Sequence, residues 1–250
     1  MKFEHTQVFN FEGALRGMRN PMSSWDKSDS YYGCPNGSKH NKDVTNCEEC
    51  LYDCECNQSY RQVVIGKNDL ALAQKLIKAG SEHRKFMRQI FVCADITAPL
   101  YWWKEFDTYK VGTVANSTST MHKLANTPIT TECFELDDVS EVADIDKRFN
   151  PATIIVYCEE LRKKYLETKD KRYWKELIRW LPESWLQTRT VTLSYENLLS
   201  MCSKGQRRNH RLNEWSGKDN PTLPNFIAWA RTLPYAQELI FIDETENTIN

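Results

Sequence analysis

Asn116, Ser117, Thr118, Ser119 and Thr120 stand in a row, and their polar groups do little else than hydrogen-bond. Hydroxyls and backbone N–H groups gathered in a bend satisfy anionic oxygens, so such a run suits a phosphate or small-ligand pocket. An ordinary polar surface turn has the same composition, and on residue chemistry alone that is the simpler reading. A second group, Arg207-Arg208-Asn209-His210-Arg211, is either a solvated basic face or, at a helix start, a phosphate clamp. Arg88 and Arg189 are further cations that could reach an anion, as are Arg16, Arg19 and Lys110. Trp102 and Trp103 are neighbours and point to different faces of a helix. One should therefore be core, leaving the other, taken as Trp103, to stack a ring in a pocket.

Cysteine is the compositional surprise, with nine residues, five of them between Cys34 and Cys56. Cys47, Cys50, Cys54 and Cys56 read C-x2-C-x3-C-x-C, and four thiolates are what tetrahedral zinc requires. The spacing is not that of two CxxC knuckles, so an insertion held by its own packing is the competing reading. Cys93, Cys133, Cys158 and Cys202 fall singly in apolar segments and read as small buried hydrophobes. Without an export signal all nine are expected as thiols in the cytoplasm.

The balance of Lys+Arg 33 against Asp+Glu 34 argues against a nucleic-acid binder working through a broad basic surface. No apolar run is long enough to span a bilayer, so no membrane partner is expected. The 250 residues are read as one domain with a Cys-rich insertion at about 30–60.

Elements that would position these side chains follow from periodicity and caps. Alternation from Phe86 to Asp95 predicts a strand, and Thr97 with Pro99 opens an aromatic helix carrying Tyr101, Trp102, Trp103 and Phe106. Val8 to Asn20 reads as a short strand or extended entry followed by a helical turn that Pro21 ends. Asn68 and Asp69 look like an N-cap for a helix stopped by Gly80. Pro151 begins a long amphipathic helix, and a second helix covers Tyr173 to Trp180. Thr188 to Leu193 alternates like a strand, a helix covers Tyr195 to Cys202, and a last helix bears Phe226, Ile227 and Trp229. Few strands among many helices make the class α+β.

The order of a strand ending in ADITAP, an aromatic helix, the turn NSTSTMH and a later QRRNHRLNEW resembles the flavin-dependent thymidylate synthases. The likeness runs from Glu82 to Leu239 by order of elements. Their signature is Arg-His-Arg, a short spacer, then Asn-Glu-x-Ser-x-Arg-Tyr. Asn116 and Ser119 match its Asn and Ser, whereas Ser117 stands for Glu, Met121 for Arg and His122 for Tyr. The triplet is missing; its place falls on Phe106-Asp107-Thr108 or on Tyr109-Lys110-Val111. His83 is similar to a His before the family's strand, and Arg207 or Arg208 to its nucleotide-binding Arg.

The resemblance implies that family's fold, a small antiparallel sheet with several helices, and a homotetramer with active sites between subunits. It implies FAD as hydride carrier, methylene-tetrahydrofolate as carbon donor and dUMP as acceptor. On it, Asn116, Ser117, Ser119, Arg207, Arg208, Trp103, Arg88 and Arg189 are the expected nucleotide-binding residues. The lost cations count the other way, each charged hydrogen bond to phosphate contributing roughly 1.5–3 kcal/mol. Two functions follow: reductive methylation of a uridine-type nucleotide, or a protein that binds or sequesters a nucleotide after losing flavin chemistry. Virus-encoded counter-defence proteins are an example of the second.

Overall fold

The computed structural model describes residues 1–33, 62–137 and 150–245. They divide into two compact units, one of Met1–Gln7, Val92–Leu193 and Ser203–Thr232, the other of Val8–Phe91, Ser194–Cys202 and Leu233–Asn250. The four Cys47, Cys50, Cys54 and Cys56 lie outside the described residues.

The first unit is organised by a sheet of β1 (Lys2–Phe9), β4 (Phe91–Pro99), β6 (Leu186–Ser194) and β5 (Val114–Ser117), in the order β1-β4-β6-β5. Alternation sets its two faces. Val92, Ala94, Ile96 and Ala98 of β4 are 0–1% exposed, while Cys93, Asp95 and Thr97 turn to the other side. Val191 and Leu193 of β6 join the buried face. Thr188 and Thr190 turn outward, and the Thr97 and Thr188 hydroxyls bond across the strands at 2.7 Å. The strand expected from Phe86 starts at Phe91 instead. Lys85–Gln89 coil into a 3-10 turn that buries Phe86 and Met87. β1, which sequence reasoning did not mark before Val8, has only Phe3 and Val8 even partly covered, so no apolar alternation signals it.

The aromatic helix α3 (Leu100–Phe106) lies on the apolar side, where Trp102, Trp103 and Phe106 are at most 2% exposed. Its first N–H groups have no partner within the helix, and the carbonyls of Trp185 and Glu183 accept from Leu100 and Tyr101. Trp102 stacks on Trp215 with centroids 4.4 Å apart, and Phe226 closes the cluster edge-on at 5.0 Å from Trp215. Gly217 ends the short helix Asn213–Ser216 at φ 65, and a Cβ there would run into the Asn225 side chain. Asn225, 4% exposed, caps the helix Phe226–Arg231 by accepting from Ala228 N at 2.8 Å. Gly217→Ala is therefore expected to lower stability by at least about 1 kcal/mol in urea unfolding, from backbone strain and a displaced cap. An unchanged midpoint would refute that reading.

The same unit holds a helical hairpin of Pro151–Thr168 and Lys171–Trp180. Asn150 and Asp170 cap their starts, accepting from Ala152 N and Arg172 N. Leu124, Ile129, Phe134, Ile155, Cys158, Leu161 and Leu177 form its own small core.

The second unit holds α1 (Phe11–Arg19), α2 (Lys67–Lys78), the helix Tyr195–Met201 and the antiparallel pair β2 (Tyr31–Gly33) and β3 (Gln62–Val64). Helix Tyr195–Met201 carries a capping box from Ser194 and Asn197. The expected N-cap pair of α2 is corrected here. The helix starts at Lys67, and Asp29 caps it from outside, its carboxylate accepting from Asn68 N at 2.9 Å and Asp69 N at 3.1 Å. The Asp69 side chain is thereby released for Arg19, whose Nε donates to it at 2.6 Å. Side chains of that pair are 5% and 0% exposed.

Candidate functional site

The polar run does not begin as a turn. Val114–Ser117 is a strand paired antiparallel with β6, placing Asn116 opposite Thr190 and Ser117 opposite Arg189. Cross-strand partners share a face and successive residues alternate, so Asn116 and Ser117 point to opposite sides. The bend proper is held by Thr118 N on the Thr188 carbonyl at 2.9 Å. Gln187, 9% exposed, adds Nε2 to the Thr118 carbonyl at 2.9 Å and to Thr120 Oγ1 at 3.4 Å. Asn116 and Ser117 are exposed and Ser119 is half-buried.

Arg189 joins the Ser117 side. Its Nε donates to Gln187 Oε1 at 3.0 Å and its Nη1 to Asp107 Oδ1 at 2.7 Å. Its guanidinium lies 4.2 Å over the Trp103 ring. Trp102 and Trp103 are both 0% exposed, in place of the expected division between core and pocket. Trp103 spends its indole N–H on the Gln187 carbonyl at 2.9 Å. It is thus the floor under Arg189, with no open ring for a ligand.

Arg207 is not at a helix start but in a 3-10 turn, Arg207–Asn209, and is 8% exposed. Its Nη1 meets Glu105 Oε2 at 2.7 Å, its Nε donates to the Tyr109 hydroxyl at 2.9 Å, and its guanidinium sits 4.7 Å over Trp215. Arg207, expected as a nucleotide clamp, thus has its guanidinium held by Glu105, Tyr109 and Trp215. Arg208 beside it is half-buried. Arg88 belongs to the other unit, is exposed, and donates to the Ser81 carbonyl at 3.3 Å. The structure thus gathers Ser117, Gln187, Arg189, Thr118 and Thr120 into one polar group, and leaves Asn116 on the opposite sheet face.

That opposite face carries a row sequence reasoning missed. His5 Nδ1 and Thr190 Oγ1 both meet the Asp95 carboxylate, at 2.9 and 2.6 Å. Asp95 titrates below the ordinary aspartate range because Thr190 and then His5 bond its charged form. The His5 side chain is 81% exposed and its backbone is left-handed at φ 51, so the ring stands open with one nitrogen held by Asp95. A histidine so oriented has the layout of a general base. Its only sequence signal was an aspartate in an otherwise apolar strand.

Elsewhere in the unit, the Tyr101 hydroxyl lies between Glu135 and Glu214. Burial, followed by the Glu214 contact, pushes its pKa far up, so it stays a donor. Burial and the neighbouring Arg207 push the His210 pKa down. Cys93 and Cys133 are half-buried thiols and Cys158 and Cys202 buried ones. Among the described residues no group of three or more His, Cys, Asp or Glu could hold a metal. No helix among them is long and apolar enough to cross a membrane.

No family model matches the chain, and no curated protein matches it. Solved structures do. Flavin-dependent thymidylate synthase ThyX from Helicobacter pylori, complexed with FAD and dUMP, is similar over 97% of this chain and 99% of its own, with TM-score 0.60 and 13% identity. A second structure of ThyX from that organism, also with FAD and dUMP, gives TM-score 0.60 and 13% identity over 97% and 98%. The chain has a ThyX-like fold.

Proposed function

We propose that this ThyX-like chain is a nucleotide-binding protein, with a mononucleotide held at the Asn116–Thr120 bend where two copies meet. The reading is supported by the fold it shares, along nearly all of both chains, with an enzyme crystallised with dUMP and FAD. The observation that carries the residue assignment is Arg189 beside Ser117, Gln187 and the bend.

Arg189 can exchange partners at small cost. Its Asp107 carboxylate is 52% exposed, and a pair with so accessible a partner contributes at most about 1 kcal/mol. A nucleotide phosphate can displace it and gain charge-assisted bonds, with Ser117 and Ser119 as further donors. Arg208 is the second cation of the reading, and Asn116 would reach a ligand only through the opposite sheet face or the other copy. Arg207 stays in its aromatic and carboxylate cage.

Association of copies is supported by apolar surface on the helical hairpin. Ile154, Val156, Tyr157 and Trp180 are 45%, 61%, 45% and 54% exposed. A homotetramer with sites between subunits completes the reading.

FAD asks for more than a mononucleotide does. It needs an open ring face and further donors for a pyrophosphate, whereas both α3 tryptophans are enclosed and Arg207 holds a carboxylate. The described residues of one chain do not compose that site, so no flavin step is assigned to them. FAD-dependent methylation of a uridine-type nucleotide is the alternative, favoured by the FAD in the similar enzyme.

Purified full-length protein decides between them. It is expected to be colourless, to melt higher with dUMP or a related mononucleotide and not with FAD, and to run as an oligomer. Arg189→Ala should weaken nucleotide binding by about one to two orders of magnitude in calorimetric titration. Yellow protein releasing flavin on denaturation would select the enzyme. Protein unmoved by any nucleotide, or unchanged affinity in Arg189→Ala, would sink the proposed site.

A further inference from the structure

The second unit contains a cavity of about 270 Å³ that has no part in the nucleotide reading. Leu15, Trp25, Tyr31 and Val63 make its apolar walls, and Arg16, Arg19 and Glu12 bring charge to it. The Trp25 indole is fixed in orientation by its N–H on Asn20 Oδ1 at 2.9 Å, yet is 51% exposed. It offers a flat surface of set orientation that an aromatic ring can cover.

The two arginines differ in state. Arg19 is 5% exposed and spends Nε on Asp69 and Nη1 on the Ser24 carbonyl, which leaves Nη2 uncommitted among the described residues. Arg16, one turn earlier on α1, is exposed and makes no hydrogen bond or ion pair among the described residues. Ser28 and Ser30 line the same cavity but donate their hydroxyls to Asp69 at 2.7 and 2.5 Å. The donors left for a ligand are therefore guanidinium N–H groups.

Charge decides what kind of anion fits. Asp69 behind Arg19 matches that guanidinium, and Glu12 on the wall has a partner of its own, so Arg16 is the cation left to a ligand among the described residues. One carboxylate matches that one guanidinium, whereas a dianionic phosphate brings a second charge with no cation left to meet it. The volume lies just below the roughly 300–1,000 Å³ of pockets for drug-sized ligands, so one or two fused rings fill it. The geometry points to a binding site for a flat aromatic monocarboxylate, its ring on Trp25 and Tyr31 and its carboxylate on Arg16 and the free edge of Arg19.

The test is calorimetric titration of the full-length protein with naphthoate, with its neutral analogue naphthamide, and with naphthyl phosphate. One naphthoate per chain is expected, with naphthamide weaker by about tenfold or more, as loss of a charged contact requires. Arg16→Ala should cost naphthoate about tenfold and leave naphthamide and the thermal midpoint unchanged, because Arg16 is exposed and unpartnered among the described residues. Neither Arg189→Ala nor added dUMP should alter naphthoate binding, so this site can fail while the nucleotide site stands, and the reverse. Equal affinity for naphthoate and naphthamide, tighter binding of naphthyl phosphate, indifference to Arg16→Ala, or no binding of any probe would each overturn the assignment.

Discussion

Asp69→Ala is expected to lower unfolding stability by about 3–5 kcal/mol, since removing one partner of a buried pair strands the other charge. Asp69 is fully buried and accepts from Arg19 Nε, Ser28 Oγ, Ser30 N and Ser30 Oγ. Truncation leaves Arg19 as a cation at 5% exposure and frees two hydroxyls together with the chain that carries them. The effect should be read as a shift in urea midpoint at neutral pH. A loss below about 1 kcal/mol would mean that water replaces the carboxylate and that the pair is not what joins α1, α2 and Ser28–Ser30.

The same carboxylate predicts an acid signature. Burial alone would raise its pKa, but hydrogen bonds from Ser30, Ser28 and Arg19, and the Arg19 charge, outweigh burial and leave it below the ordinary value. A group depressed on folding contributes stability that is complete above its unfolded pKa, about 3.9 for aspartate, and is lost as pH falls through the folded value. Wild type should therefore lose stability below about pH 4 more steeply than Asp69→Asn, which has no such proton to take up. Parallel acid limbs for the two proteins would contradict the linkage.

Trp215→Ala is the second large effect, expected at about 3–5 kcal/mol for an indole removed from a packed interior. Trp215 is 0% exposed, stacks on Trp102 at 4.4 Å, meets Phe226 at 5.0 Å and supports the Arg207 guanidinium at 4.7 Å. Its loss opens a cavity and also removes the aromatic face under a nearly buried cation. Trp215→Phe should lose clearly less. The indole N–H of Trp215, like that of Trp102, is buried without an acceptor among the described residues, so the phenyl ring discards an unsatisfied donor while keeping the stack. Equal losses for Ala and Phe would show that the stack contributes little and that the cluster is held from elsewhere.

The likeness to ThyX was legible in the order of elements, and the aromatic helix, the long Pro151 helix and the strand after Thr188 stand where periodicity put them. Their signals are local. Pro151 starts its helix because proline suits the first turn, Pro99 stands just before α3 at its N-cap, and alternation along β4 and β6 repeats within a few residues. Other roles have a different origin. Asp69 has the composition of a cap and Arg207 that of an exposed clamp. What each does depends on a partner, 50 residues away at Arg19 and 102 away at Glu105.

Amino-acid order by itself determined which segments coil, which extend and which polar residues crowd the bend, because those properties need only neighbours along the chain. Tertiary structure alone decided that Trp103 is a floor and not a plate, that Asn116 and Ser117 face apart, and that His5, Asp95 and Thr190 share a row. Strand pairing and burial made those choices. Each depends on which distant strand lies alongside, and a register change of one residue would turn every side chain of a strand to its other face.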